Sequence, residues 1–135
     1  MRVVIIGGSG RIGSYLVPRL IKAEYEVINV SRGLRTPIKP SNAWKEVRQV
    51  VMDRNTEEEN GLFGKKIAAL NPDIVVDIIN DRVESTYQIV EALHQYQSLY
   101  FQCIYLGART CDDGSGDGRP SETSTGKLWS KQSQK

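Results

Sequence analysis

Short apolar runs alternate with segments of helical period along the first hundred residues. Residues 3–6 form a continuous apolar run that ends at glycines, which predicts a parallel strand buried on both faces. Residues 11–23 carry apolar side chains at helical spacing, namely Ile12, Leu16, Leu20 and Ile21. Residues 26–31 then predict a second strand. A strand, a glycine turn, a helix and a second strand therefore follow one another.

The next segments continue the alternation after an interruption. Residues 34–45 contain two prolines and no sustained period, which predicts an excursion over the surface. Residues 47–52 predict a third strand. Thr56 is the predicted N-cap of a helix whose first turn contains residues 57–59, three glutamates that suit the positive helix end. The predicted apolar stripe of this helix is Leu62, Phe63, Ile67 and Leu70.

Three further elements complete the predicted fold. Residues 73–79 are the most apolar β-branched run and predict the central fourth strand. Residues 82–95 predict a helix, and residues 99–106 predict a fifth strand. The helix is expected to face inward with Val83, Tyr87, Val90 and Leu93. The predicted fold class is α/β, a Rossmann-type doubly wound parallel sheet of about five strands.

The composition changes abruptly after Gly107. Residues 108–135 are rich in Gly, Ser, Thr, Asp and Lys, and their only large apolar side chains are Leu128 and Trp129. Such a segment buries too little apolar surface to offset the entropy of ordering it. We therefore expect one folded domain over residues 1–107 and a disordered polar tail over residues 108–135.

Charge and cysteine content narrow the class of protein. Hydrophobic residues make up 39% and charged residues 25% of the chain, and its formal charge is only +2. This balance is typical of a globular protein and argues against nucleic-acid and membrane partners. Cys103 and Cys111, with His94 as the single histidine, do not form a disulfide framework or a zinc site. The N-terminal apolar run is too short for a signal peptide, so a cytoplasmic protein is expected.

Residues 7–13, Gly-Gly-Ser-Gly-Arg-Ile-Gly, satisfy two overlapping glycine spacings. Gly8, Gly10 and Gly13 fit G-x-G-x-x-G, and Gly7, Gly10 and Gly13 fit G-x-x-G-x-x-G. Glycines at these positions permit a tight turn, close approach of a pyrophosphate and close packing of helix on strand. The predicted dinucleotide-binding residues are Gly7, Gly8, Ser9, Gly10, Arg11, Ile12 and Gly13. A glycine turn that serves only packing is the alternative.

The end of the second predicted strand bears on the choice of cofactor. An acidic residue there holds the ribose 2′-hydroxyl of NAD, whereas an arginine accommodates the 2′-phosphate of NADP. The strand ends Ser31-Arg32-Gly33, without an acid. NADP is therefore the predicted cofactor, held through Arg32 with help from Ser31, and NAD is the alternative. Arg32 as a plain solvated charge and Arg11 as a surface residue are the competing interpretations.

These segments together resemble a known family. Residues 4–16 and 26–33 resemble the extended short-chain dehydrogenase/reductase group, the NAD-dependent epimerase/dehydratase family, and the likeness continues through residues 52–54 and 72–79. The resemblance covers about residues 1–106 and identifies residues 1–107 as an NAD(P)-binding Rossmann domain.

The resemblance also implies roles for three residues outside the glycine turn. Asp53 would lie at the adenine side of the cofactor, and Ile78 and Ile79 would line the adenine and ribose pocket. Asp53 as a cap of the following turn, and the two isoleucines as plain core, are the alternatives.

The family's chemistry depends on a Ser or Thr after the fifth strand and on a Tyr-x-x-x-Lys pair, whose lysine lowers the pKa of the tyrosine. This chain has no Tyr followed by Lys four residues later. The nearest match is Tyr105 with Arg109, but Tyr105 falls in the predicted fifth strand and arginine does not replace lysine. Thr110 is a candidate hydroxyl, although an ordinary loop threonine is the favoured interpretation.

The chain therefore resembles the front half of an epimerase/dehydratase or reductase and is expected to be truncated and catalytically incomplete, with its small-molecule substrate unassigned. A nucleotide-sensing regulatory module without catalysis is the alternative, and a remnant that binds nothing is a third. For the tail we hypothesise an out-of-frame end, since residues 128–132 read one base later permit a Tyr-x-x-x-Lys pair. A disordered polar terminus is the competing interpretation.

Overall fold

The computed structural model describes residues 1–103, which form a sheet with helices on both of its faces. The strands are β1 Arg2–Ile6, β2 Glu26–Ser31, β3 Arg48–Val51, β4 Ile74–Asp77 and β5 Leu99–Gln102. The helices are α1 Arg11–Lys22, α2 Arg54–Glu59, α3 Phe63–Ala69 and α4 Val83–Leu93, with a 3-10 helix over Asn42–Glu46. All strand pairs are parallel. The predicted α/β fold with a five-stranded parallel sheet is confirmed.

The strand order β3-β2-β1-β4-β5 reverses direction beside β1. The chain runs from β1 outward to β3 and then returns to the other side of β1 as β4. At the carboxyl end of β1, Ile6 is therefore flanked by Val30 of β2 and Asp77 of β4. In open parallel sheets this switch point forms the crevice where ligands bind, and the glycine turn begins there.

Alternate side chains of β1 pack into two separate cores, one on each face of the sheet. The core on the side of α3 and α4 consists of Val4, Ile6, Ile28, Val30, Phe63, Ile67, Ala68, Val75, Ile89 and Leu93. The core on the side of α1 consists of Val3, Ile5, Val17, Val27, Val47 and Ile78. Because both faces are covered, β1 reads as a continuous apolar run rather than an alternating one.

The middle of the chain departs from the predicted elements in three ways. The helix predicted to begin after Thr56 is two helices, α2 and α3. The N-cap of α2 is Asp53 rather than Thr56, and its side chain accepts hydrogen bonds from the backbone N–H of Asn55 and Thr56. Gly61, with a φ of 67°, separates α2 from α3. The fourth strand is internal, but β1 holds the middle place in the sheet. The 34–45 excursion ends in the 3-10 helix.

The predicted inward face of α4 is wrong except for Leu93. Val83, Tyr87 and Val90 are 64%, 69% and 45% exposed, whereas Ser85, Ile89 and Leu93 are buried. The rotation of α4 follows from its close contact with α3, where a Cβ on Gly64 would collide with the backbone carbonyl of Gln88. This contact turns the Gln88 side of α4 toward α3 and leaves the more apolar stripe outside.

Several sequence predictions lie outside the described residues. They concern the end of the fifth strand at Leu106, the tail over residues 108–135, and the catalytic candidates Tyr105, Arg109 and Thr110. Among residues 1–103, the helices are too short and too polar to cross a bilayer.

Candidate functional site

The turn from β1 to α1 contains a glycine that the backbone conformation demands. Gly7 has a φ of 84°, in the region that side chains disfavour. Its N–H donates to the Val30 carbonyl at 2.9 Å, and a Cβ added to it would lie 2.5 Å from the side chain of Ile79. Gly7 therefore fixes how the turn leaves the sheet.

Two other glycines allow the turn to pack closely. A Cβ on Gly13 would collide with the backbone of Gly8. A Cβ on Gly8 would lie 2.6 Å from Asn29 Oδ1 in β2. Gly13 therefore allows α1 to pack closely against the turn, and Gly8 allows the turn to pack closely against the sheet.

Gly10 differs from the other three glycines because the protein itself leaves room for a side chain there. Among residues 1–103, an added Cβ would meet only the Gly7 carbonyl oxygen, at an ordinary 3.7 Å. Gly10 is the N-cap of α1, no side chain caps this helix, and its first turn contains no acid. The free N–H groups and the positive end of the helix dipole suit an anion. An open glycine beside an uncapped helix end fits a bound pyrophosphate.

A cleft of about 390 Å³ extends from this turn along the carboxyl edge of the sheet. The predicted site residues that line it are Gly7, Ser9, Gly10, Ser31, Arg32, Asp53 and Ile79. Gly8, Arg11, Ile12, Gly13 and Ile78 do not line it. Ile12 and Ile78 pack in the core on the α1 side, and Arg11 is exposed.

Neighbouring residues at the end of β4 point to opposite sides of the extended chain. Ile79 is 54% exposed and lines the cleft, while Ile78 is buried in the core. Asp53 is both a helix cap and a cleft residue: its carboxylate caps α2, and the residue lines the cleft.

The segment after β2 forms one wall of the cleft and is tied to the glycine turn. Arg32 and Arg35 line this wall, and within residues 1–103 neither guanidinium forms an ion pair. The N–H of Ile38 donates to the Ser9 carbonyl at 3.3 Å, and the N–H of Lys39 donates to Ser14 Oγ at 3.3 Å. The sequence did not predict Arg35 as a site residue. The one hint in the sequence is that a second arginine follows Arg32 in the segment after β2.

Beneath the cleft lies a buried ionic cluster that sequence reasoning also missed. Arg54 donates two hydrogen bonds of 2.8 Å to the Asp77 carboxylate and one of 2.6 Å to Glu58. Asp77 is fully buried, and it also accepts from the Tyr100 hydroxyl at 3.0 Å. The sequence signal was a lone aspartate at the end of the most apolar strand.

The ionisation of this cluster follows from its pairing. Burial alone lowers the pKa of Arg54, but its hydrogen bonds to Asp77 and Glu58 outweigh burial and raise that pKa above the usual value. Burial raises the pKa of Tyr100, and the charge of Asp77 adds to the increase. The guanidinium of Arg54 lies 5.0 Å from the centre of the Phe63 ring, and both residues line the cleft. The arginines on the floor of the cleft are therefore ion-paired, and within residues 1–103 the unpaired positive charge is on the Arg32 side.

Comparison with known proteins extends these observations. A model of the NAD dependent epimerase/dehydratase family matches residues 3–131, which confirms the resemblance seen in residues 1–106. The chain is 33% identical over 78 residues to the 2'-dehydrokanamycin reductase of Streptomyces kanamyceticus, a match that covers 58% of this chain and 20% of the reductase.

Solved structures of larger enzymes share the fold. The UDP-glucose 4-epimerase of Thermotoga maritima, solved with UDP-glucose, superposes with a TM-score of 0.56 at 19% identity and covers 76% of this chain. The UDP-glucose 4-epimerase of Thermus thermophilus, solved in complex with NAD, gives a TM-score of 0.52 at 19% identity and covers 71%. This chain spans 37% and 34% of the two epimerases.

Proposed function

This chain belongs to the NAD-dependent epimerase/dehydratase family, and we propose that residues 1–107 are its NAD(P)-binding Rossmann domain. The observation that carries the proposal is Gly10, which the fold leaves open at the uncapped N-terminus of α1. The turn lies at the switch point of the sheet, where such proteins bind dinucleotides. The structural relative from Thermus thermophilus was solved with NAD, which supports a nicotinamide dinucleotide.

The residues around the cleft have separate tasks in this proposal. Gly10 and the first N–H groups of α1 hold the pyrophosphate, with Arg11 adding positive charge in the first turn of the helix. Asp53 and Ile79 lie along the adenosine side. In related enzymes the bound nicotinamide exchanges a hydride with the substrate.

NADP is the cofactor that the charges favour, with NAD as the alternative. The end of β2 carries Ser31 and Arg32 in place of an acid, and Arg35 lines the same wall of the cleft. The 2′-phosphate of NADP adds negative charge that these guanidinium groups can pair with. A 2′-hydroxyl gains much less from the same arginines.

We also propose that these 135 residues are catalytically incomplete, because they contain no Tyr-x-x-x-Lys pair. A nucleotide-sensing regulatory module would bind the cofactor equally well. A protein partner that binds this chain only in the presence of NADPH would distinguish such a module from an incomplete enzyme. A cytoplasmic location, a small-molecule substrate and the lack of a nucleic-acid partner stay predictions of the sequence.

Titration of the chain with NADPH and NADH, with Gly10→Val as the test variant, examines the binding proposal. A branched side chain at position 10 should abolish binding and leave the fold intact. A Cβ there makes no close contact within residues 1–103, whereas the side chain would occupy the place of the pyrophosphate. Calorimetry measures binding and circular dichroism checks the fold.

Arg19→Val is the matched control, because Arg19 is exposed on the same helix and does not line the cleft. It should bind as the wild type does. Wild-type affinity in folded Gly10→Val would show that the turn is not the site.

A further inference from the structure

The middle of β2 contains a polar side chain where the fold calls for an apolar one. Asn29 is fully buried between Ile28 and Val30. A buried amide is costly unless its oxygen and nitrogen both find hydrogen-bond partners. Its contacts therefore indicate why it is there.

Asn29 connects the glycine turn to two strands. Its Oδ1 accepts from the N–H of Gly8 at 2.9 Å. Its Nδ2 donates to Ser9 Oγ at 3.2 Å and to Gln49 Oε1 of β3 at 2.8 Å. Because a backbone N–H can only donate, the bond from Gly8 fixes Oδ1 as the amide atom that faces Gly8 and leaves Nδ2 to face Ser9.

This orientation of the amide determines how the hydroxyl of Ser9 is used. Asn29 donates to the Ser9 oxygen, so the hydroxyl hydrogen is not consumed in that bond. A hydroxyl has one hydrogen to donate and two lone pairs to accept with. Ser9 lines the cleft, and the hydrogen bond that its hydroxyl forms within residues 1–103 is the one it accepts from Asn29. The hydrogen is left for a ligand.

We infer that Asn29 is a positioning residue for the pyrophosphate of the dinucleotide. It holds the Gly8 backbone in place and turns the Ser9 hydroxyl into a donor toward the phosphate oxygens. The inference rests on the proposed cofactor site. It adds a group that does not line the cleft and therefore acts only through its two neighbours in the turn.

Three variants test the inference by titration with NADPH and, separately, with adenosine 2′-monophosphate. Asn29→Val removes all three contacts but suits a buried strand. Asn29→Asp keeps an acceptor for the N–H of Gly8. Its second carboxylate oxygen would accept from the Ser9 hydroxyl, so the hydroxyl hydrogen would point to residue 29 instead of to the ligand. Ser9→Ala removes the hydroxyl and leaves the contacts of Asn29 with Gly8 and Gln49 in place.

Each variant should weaken NADPH binding about tenfold or more, the effect of losing a hydrogen bond to a charged group. Adenosine 2′-monophosphate has the 2′-phosphate but no pyrophosphate, and its affinity should change less than about threefold. Adding Ser9→Ala to Asn29→Asp should cost little more, because the hydroxyl is already lost to the ligand. A merely structural asparagine would not produce this coupling.

Ser98→Ala is the matched control, since it removes a 2.6 Å hydrogen bond to the Pro72 carbonyl at the amino edge of the sheet. It should leave NADPH binding unchanged. Wild-type protein that binds neither NADPH nor NADH would overturn the proposed function itself. If the wild type binds NADPH and either Ser9→Ala or a folded Asn29 variant binds it equally well, the inference about Asn29 is wrong while the proposed function stands.

Discussion

The four arginines of residues 1–103 that line the cleft are not equivalent. Arg54 and Arg82 are paired with Asp77 and Glu58, so their charge is largely neutralised. Arg32 and Arg35 form no ion pair within residues 1–103. The available positive charge is therefore concentrated on the wall that follows β2.

This asymmetry predicts tighter binding of NADPH than of NADH. Arg32→Ala should lower NADPH affinity about tenfold to a hundredfold, the range for a charge-assisted contact, and should change NADH affinity much less. Calorimetric titration with both cofactors measures the difference. Arg48→Ala is the control, because Arg48 is exposed on β3 and does not line the cleft. Equal wild-type affinity for the two cofactors would contradict the prediction.

The sequence could predict those site residues whose position depends on local spacing. The glycine turn and Ser31-Arg32 follow strands that are recognisable from apolar runs. The partners of Asp77 could not be predicted this way, because Arg54 reaches it from a different element. Asn29 was hidden for the same reason, since its contacts come from the turn and from β3.

At the scale of elements, the buried cluster joins α2, β4 and β5 through side chains. Arg54 comes from α2, Asp77 from β4 and Tyr100 from β5. A fully buried carboxylate is costly, and only close pairing with a cation and further donors offsets that cost. The cluster therefore makes the positions of these three elements depend on one another.

The raised pKa of Tyr100 predicts a loss of stability at alkaline pH. In the unfolded chain a tyrosine deprotonates near pH 10, whereas folded Tyr100 holds its proton to higher pH. Its stabilising effect is complete below about pH 10 and is lost as the pH rises through the folded pKa. Urea unfolding at a series of pH values measures this loss.

Tyr100→Phe should flatten that alkaline decline, since it removes the titrating group. Tyr87→Phe is the matched control, because Tyr87 is largely exposed on α4, and it should decline as the wild type does. An alkaline profile unchanged by Tyr100→Phe would count against the assignment.

Element type was easier to predict from this sequence than element orientation. Helical period located α4, but two stripes on it fit an inward face, and Val83-Tyr87-Val90 is the more apolar. The structure buries Ser85-Ile89-Leu93 instead. That choice depends on the approach of Gly64 to Gln88, a contact between two helices that period alone does not contain.

At the scale of the whole molecule, the sheet order explains why one edge holds all the cleft residues. Parallel strands end at the same edge, and the reversal beside β1 opens a crevice there. The sequence predicted this fold because β1 and β4 carry continuous apolar runs and recognisable turns separate the strands of residues 1–103. The expectations for chemistry beyond cofactor binding concern residues 104–135 and stay predictions.

The 135-residue chain should show no reductase or epimerase turnover with NADPH. A positioned acid or base contributes about a hundredfold to ten-thousandfold, and the family's Tyr-x-x-x-Lys pair is absent from these residues. Cofactor oxidation with aldehyde and ketone substrates measures the reductase rate. Chromatographic separation of sugar-nucleotide epimers measures the epimerase rate, because epimerisation consumes no cofactor overall. Turnover above background that disappears in Tyr105→Phe would refute the prediction and make Tyr105 the catalyst.

The close approach of Gly8 to Asn29 constrains how this sequence can diverge. Alanine at position 8 would place its Cβ 2.6 Å from the amide oxygen of Asn29, so that change is unfavourable in the present background. Once residue 29 has become smaller, the nearest atom is the Ile5 methyl group at 3.1 Å, which has to shift by a few tenths of an ångström. The steric clash is therefore avoided if residue 29 changes before residue 8. In the opposite order, the intermediate sequence would have a distorted turn.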